Sequence, residues 1–263
     1  MRYRASILAA VLFSSSLTGV IPAQSAPTAS PTCSTIRFIG LKGLNEDNDK
    51  KSAVLNATWA RFKRTSETSG VGTPFRESVN YPKVASTRLV GDIILASTFS
   101  VVIKPDVASA VDRGVEAINV AIDNVRKKCP DANFVLAGYS LGAWVVDQFL
   151  KTTPLPSIVL AAILYGDPQW NGGGVRGIAQ TYHGTALPGP YPPLADRVQS
   201  LCNHQDPICG VGYAASKAGM AKRAADLRKT IARAAQGKNC GPHCGYVGGP
   251  TTRGGDFLES KSK

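Results

Sequence analysis

Apolar residues along the 263-residue chain fall into two kinds of stretch. Short runs rich in β-branched and aromatic side chains alternate with longer stretches whose apolar positions recur three and four residues apart, and Gly, Pro, Asn and Asp punctuate the joins. Residues 35–40 read as a first strand and 42–46 as a turn. Asn48 or Asp49 caps a helix carrying Val54, Leu55, Trp59 and Phe62, which ends in the polar stretch 70–74. A second strand is expected at 78–81, stopped by Pro82, while 91–103 is apolar and ambiguous between strand and helix. Pro105 and Asp106 open a long helix with Val107, Val111, Val115, Ile118, Ile122 and Val125 on one face, closed by Cys129-Pro130-Asp131. A strand to Gly138, a helix to about Leu150, a break at 153–156 and a buried strand over 158–165 follow. From Gly166 to Pro193 the chain is rich in Gly and Pro; residues 197–201 form a short last strand and 203–207 the loop after it. Strands and helices alternating at these lengths predict the α/β class: a central, mainly parallel sheet with helices on both faces, a three-layer sandwich. No internal repeat or second domain is visible.

The first residues break this pattern. Met-Arg-Tyr-Arg precedes an apolar run from Ile7 to Ile21, and Ala23-Gln24-Ser25 offers a small-x-small cleavage site. This reads as a secretory signal peptide over residues 1–25, leaving one domain over 26–263. The run is too short and interrupted for a spanning helix, so the expectation is a secreted, extracellular, monomeric protein. The formal charge is +12, and removing Arg2 and Arg4 leaves it strongly positive. That balance suits an anionic surface or an ordinary solvated basic exterior; nothing resembles a nucleic-acid-binding motif. Six cysteines in an exported chain favour disulfides over zinc, with many connectivities open. Cys202 with Cys209 and Cys240 with Cys244 are close enough for local loops, which leaves Cys33 with Cys129 by elimination.

Candidate chemistry centres on Gly138-Tyr139-Ser140-Leu141-Gly142, a G-x-S-x-G pentad between an apolar run and a helical pattern. On such a turn Ser140 is a candidate nucleophile, the two glycines allow strand and helix backbones to approach, and the Leu141 backbone N–H faces the acyl oxygen. A plain strand-to-helix loop carries the same residues, so partners decide. Of the three histidines, His243 is the best base: it follows the last acid-bearing loop and lies between Cys240 and Cys244. His183 precedes the acid and His204 is too close to it in sequence to be oriented by it while reaching Ser140. Asp206, just past a strand and inside the Cys202–Cys209 loop, leads as the orienting acid. Asp167 is its rival, although Gly-Asp-Pro is more simply a turn. This chemistry requires neither metal nor cofactor.

Cys129-Pro130-Asp131 ahead of the serine, Cys-Asn-x-x-Asp-x-x-Cys at 202–209, Pro192 and Ala195-Asp196-Arg197 before it, and His-x-x-Tyr at 243–246 together resemble the cutinase family of secreted serine esterases. The resemblance implies Ser140 as nucleophile, Asp206 as acid, His243 as base, and disulfides Cys33–Cys129 and Cys202–Cys209. Three departures stand out. Where the family usually has Ala-Arg-Gly-Ser/Thr-x-Glu, this chain has Leu41-Lys42-Gly43-Leu44-Asn45-Glu46, so Leu44 offers an oxyanion only its backbone N–H. Leu141 replaces the usual Gln after the serine. Finally, 37 positions separate Asp206 from His243. The extra length carries a basic helix at about 214–236, with Met220, Ala224, Leu227, Ile231 and Ala234 as its apolar stripe. It reads as a lid, an anionic-surface contact or a packed amphipathic helix.

The resulting expectation is a serine carboxylic-ester hydrolase acting on short- to medium-chain esters, polyesters or lipids through an acyl-enzyme. The alternatives are a catalytically weak hydrolase-fold protein that binds envelope or lipid surfaces, and an acyltransferase.

Overall fold

The described strands pair into a five-stranded sheet, all parallel, in the order β2-β1-β3-β4-β5. The strands are β1 (Ile36–Leu41), β2 (Phe75–Ser78), β3 (Asn133–Tyr139), β4 (Val159–Tyr165) and β5 (Val198–Leu201). The structure, a computed structural model, describes residues 33–83, 105–152, 157–169, 196–210, 212–214 and 216–263. The expected signal peptide, the ambiguous stretch 91–103, most of the Gly/Pro-rich stretch after Gly166, and His183 lie outside the described residues.

β1, β3 and β4 form the centre and are buried on both faces, which is why their sequences are apolar runs rather than alternations. On one face α2 (Pro105–Lys128) and α3 (Leu141–Thr152) pack Val111, Ile118, Ile122, Trp144 and Phe149 onto Ile39, Phe134, Leu136 and Leu164. On the other, α1 (Ala53–Thr68) and α5 (Gly249–Ser260) bring Leu55, Phe62 and Leu258 against Phe38, Val135, Ile163 and Tyr165. The three-layer expectation is met. α4 (Lys217–Ala235) and two short 3-10 turns, Asp49–Lys51 and Gly241–Cys244, complete the described elements.

Three boundaries differ from the sequence reading. The second strand is Phe75–Ser78 instead of 78–81. Among the described residues it is an edge strand pairing with β1 on one side only, so its polar Arg76 and Glu77 are tolerated, and Glu77 accepts from Arg37 at 2.8 Å. Val79 and Tyr81, which drew the strand assignment, are buried in the coil just beyond. The helix expected from Asn48 or Asp49 is divided: Asn48 caps the first 3-10 turn, and Ser52 caps α1 by accepting from the Leu55 N–H at 3.4 Å. α5 was not anticipated, because Gly254-Gly255 is a poor helical pair. Its cause is tertiary. A side chain at Gly254 would overlap the Tyr165 hydroxyl, and one at Gly255 would meet Arg61, whose guanidinium forks onto Asp256 at 2.5 and 3.0 Å.

Candidate active site

β3 delivers the pentad to the carboxyl end of the sheet, where Ser140 adopts φ 56°, a left-handed conformation rare outside glycine. Its N–H donates to the Tyr165 carbonyl at 2.9 Å, tying the turn to β4, and α3 starts at the next residue. Gly142 is required because the Leu41 and Lys42 carbonyls occupy the space of a Cβ, which draws the loop after β1 against the start of α3.

Ser140, Asp206 and His243 come together. His243 Nε2 is 2.9 Å from Ser140 Oγ, and its Nδ1 is 2.8 Å from Asp206 Oδ2. Asp206 is fully buried and accepts on both oxygens: Oδ2 also takes the Tyr246 hydroxyl at 2.7 Å, and Oδ1 takes the Ile208 N–H at 2.8 Å. Burial opposes ionisation of this carboxyl. The His243 charge and the bonds from His243, Tyr246 and Ile208 outweigh it, holding Asp206 below the usual carboxylate range. The imidazole lies under the Tyr139 ring at 5.3 Å between centroids and 24° between planes, and the Tyr139 hydroxyl donates to the His243 carbonyl at 2.9 Å. All three expected disulfides are present: Cys33–Cys129, Cys202–Cys209 around the acid loop, and Cys240–Cys244 around the base turn.

The other candidates stand apart. His204 is exposed. Asp167 is a buried turn residue accepting the Gln169 N–H at 2.8 Å, with its carboxyl pushed up by burial and by the neighbouring Asp147. No hydrogen bond among the described residues occupies the backbone N–H of Leu44 or of Leu141.

Sequence reasoning assigned no role to Tyr139, Tyr246 or Glu46. Glu46 accepts the Gly43 N–H at 2.6 Å, stapling the loop that carries Leu44; burial pushes its carboxyl up against the bonds it accepts. Its position in the six-residue motif was the available signal. The basic helix α4 is packed along one side, where its own residues Arg223, Leu227, Thr230 and Ile231 are buried.

With this geometry in place, comparison with known proteins is decisive for the family: the Cutinase family profile matches residues 33–224. The chain belongs to the cutinase family. Over 125 residues it is 34% identical to an acetylxylan esterase of Hypocrea jecorina, covering 40% of this chain and 41% of that protein. Over 118 residues it is 29% identical to carboxylesterase Culp1 of Mycobacterium tuberculosis, covering 41% and 48%. The chain thus spans about two-fifths to one-half of the length of these relatives. A solved acetylxylan esterase structure superposes with TM-score 0.54 at 19% identity, over 88% of this chain and 100% of that one, which extends the shared fold through most of the chain. In this cutinase-family chain the matched region ends within α4, and His243 lies beyond it.

Proposed function

We propose that this protein is a secreted serine esterase of cutinase type acting on short- to medium-chain esters, polyesters or lipids. The supporting observation is the pair of hydrogen bonds, 2.9 and 2.8 Å, that joins Ser140 through His243 to Asp206. Ser140 Oγ attacks the ester carbonyl carbon while His243 Nε2 takes its proton, and the carbonyl oxygen, now negative, is received by the N–H groups of Leu141 and Leu44. The carbon–oxygen bond to the alcohol breaks, His243 returns the proton to the departing oxygen, and water repeats the sequence to release the acid. Asp206 holds the imidazole in the orientation and tautomer this requires. The names of the relatives, acetylxylan esterase and carboxylesterase, support the ester class, and three disulfides support export. The exposed Lys217, Arg228 and Lys229 on the outer side of α4 suit contact with an anionic surface.

A second reading, a weakened hydrolase that mainly binds, is favoured by Leu44, which brings no hydroxyl to the oxyanion. Losing one such donor elsewhere costs about 2.7–4 kcal/mol. Hydrolysis of p-nitrophenyl esters from short to long acyl chains, measured beside Ser140→Ala, separates the readings. An active wild type with a silent mutant supports the esterase, whereas silence of both at every length supports the binding protein.

A further inference from the structure

The acid of the triad is held by a peptide group that α4 in turn holds. Ile208 donates its N–H to Asp206 Oδ1 at 2.8 Å, and the carbonyl of that same peptide unit, on Pro207, accepts from Arg223 Nε at 2.9 Å. Arg223 Nη2 reaches one residue further, to the Ile208 carbonyl at 3.1 Å. Arg223 as a whole is only 6% exposed. Nearby, Gln205 sits at φ 59°, a conformation a non-glycine residue keeps only when its surroundings impose it. The Tyr213 hydroxyl is 3.0 Å from the Gln205 carbonyl and 2.9 Å from Asp226 of α4. Two turns along α4, Thr230 donates to the Cys240 carbonyl at 3.3 Å and Arg233 to the Asn239 carbonyl at 2.5 Å, on the turn that carries His243. One helix therefore grips both the loop of the acid and the loop of the base.

Building on the Ser140–His243–Asp206 reading, we propose that Arg223 is a positioning residue for catalysis: its guanidinium fixes and polarises the Pro207–Ile208 peptide, and through that N–H sets the Asp206 carboxylate against His243. A charged donor on a carbonyl strengthens the N–H of the same peptide, so the chain from Arg223 to Ser140 acts as one cooperative network. Through this one side chain the inserted helix acts on the acid from behind its loop.

Arg223→Met is expected to lower kcat for p-nitrophenyl acetate by about tenfold or more at unchanged KM, since small misplacements of reacting groups are expensive in rate. It also moves the downfield proton resonance of the His243 Nδ1–H upfield. Arg223→Lys, which keeps the charge and loses the fork, recovers part of both. Leu227→Ala loosens the same helix without touching the peptide, and leaves kcat and the resonance near wild type despite a lower Tm. A folded Arg223→Met with kcat within about twofold of wild type and an unmoved resonance overturns the proposal, as does an equal loss of kcat in Leu227→Ala. If Arg223→Met does not fold, Arg223→Lys is judged by the same criteria. Assaying wild type beside Ser140→Ala keeps the two ideas apart: a wild type that hydrolyses no ester refutes the esterase reading, while the resonance, which needs no turnover, still tests Arg223.

Discussion

Replacing Gly166 by alanine probes the geometry beneath the imidazole, with Gly70 as its internal control. Both glycines have positive φ, +59° and +80°, so alanine at either site incurs a left-handed penalty of about 1–2 kcal/mol. For a domain of this size that is a Tm loss of roughly 2–8 °C. The surroundings differ. Nothing lies within 4 Å of a Cβ at position 70, whereas at 166 it would be 2.9 Å from His243 Cε1 and Nδ1 and 3.1 Å from Asp206 Oδ2. Comfortable carbon contacts begin near ~3.5 Å, so the ring must retreat by roughly 0.5–1 Å. It has little room: Tyr139 stacks on it, and both nitrogens are engaged with Ser140 and Asp206. A displacement of that size corresponds to a loss of roughly 10- to 100-fold in kcat, or about 1.4–2.7 kcal/mol of barrier. The assay is steady-state ester hydrolysis with Tm measured on the same samples. Gly166→Ala should lose both activity and stability, and Gly70→Ala stability alone. A Gly166→Ala enzyme with wild-type kcat and the same Tm loss as Gly70→Ala would refute the reasoning.

Tyr246→Phe removes the hydroxyl that donates to Asp206 and accepts the Asn203 N–H at 3.0 Å; hydrogen bonds to charged groups are worth about 1.5–3 kcal/mol, so kcat/KM and Tm should both fall, measurable by kinetics and calorimetry. Disulfide removal should separate stability from activity. Cys33–Cys129 spans 96 positions and its loss lowers stability by about 4–5 kcal/mol, whereas Cys240–Cys244 spans four and its loss costs about 2 kcal/mol. Double serine variants should nevertheless show the larger activity loss at 240/244, where the turn bearing His243 is released. The pH dependence follows from the depressed Asp206 carboxyl. A carboxyl lowered on folding stabilises fully above its unfolded value and loses that contribution as pH falls through the folded one. The stability difference between wild type and Asp206→Asn should therefore be constant above the ordinary carboxylate range and shrink below it.

What was legible in the sequence was whatever depends on local pattern. The runs of β3 and β4 and the spaced Val107, Val111, Ile118 and Ile122 of α2 are buried as their periodicity implies, and the pentad sits at the strand-to-helix junction it signals. The candidate site was legible because its residues are chemically scarce: three histidines, and an aspartate enclosed by a short cysteine loop. What escaped depends on tertiary contact. Gly254 and Gly255 weaken a helix locally and are explained only by Tyr165 and Arg61 pressing against them. Arg223 resembles any other cation on a basic helix until its burial behind Pro207 is seen. Val79 and Tyr81 mimic a strand because burial in coil leaves the same apolar mark as burial in a sheet.

Covalent labelling with a fluorophosphonate, followed by mapping of the adduct, addresses the proposed nucleophile itself, independently of the natural substrate. A single adduct on the peptide carrying Ser140, absent in Ser140→Ala and greatly slowed in His243→Ala, is the predicted result. A folded wild-type protein that takes no label, or is labelled equally well with Ser140 replaced, would contradict it.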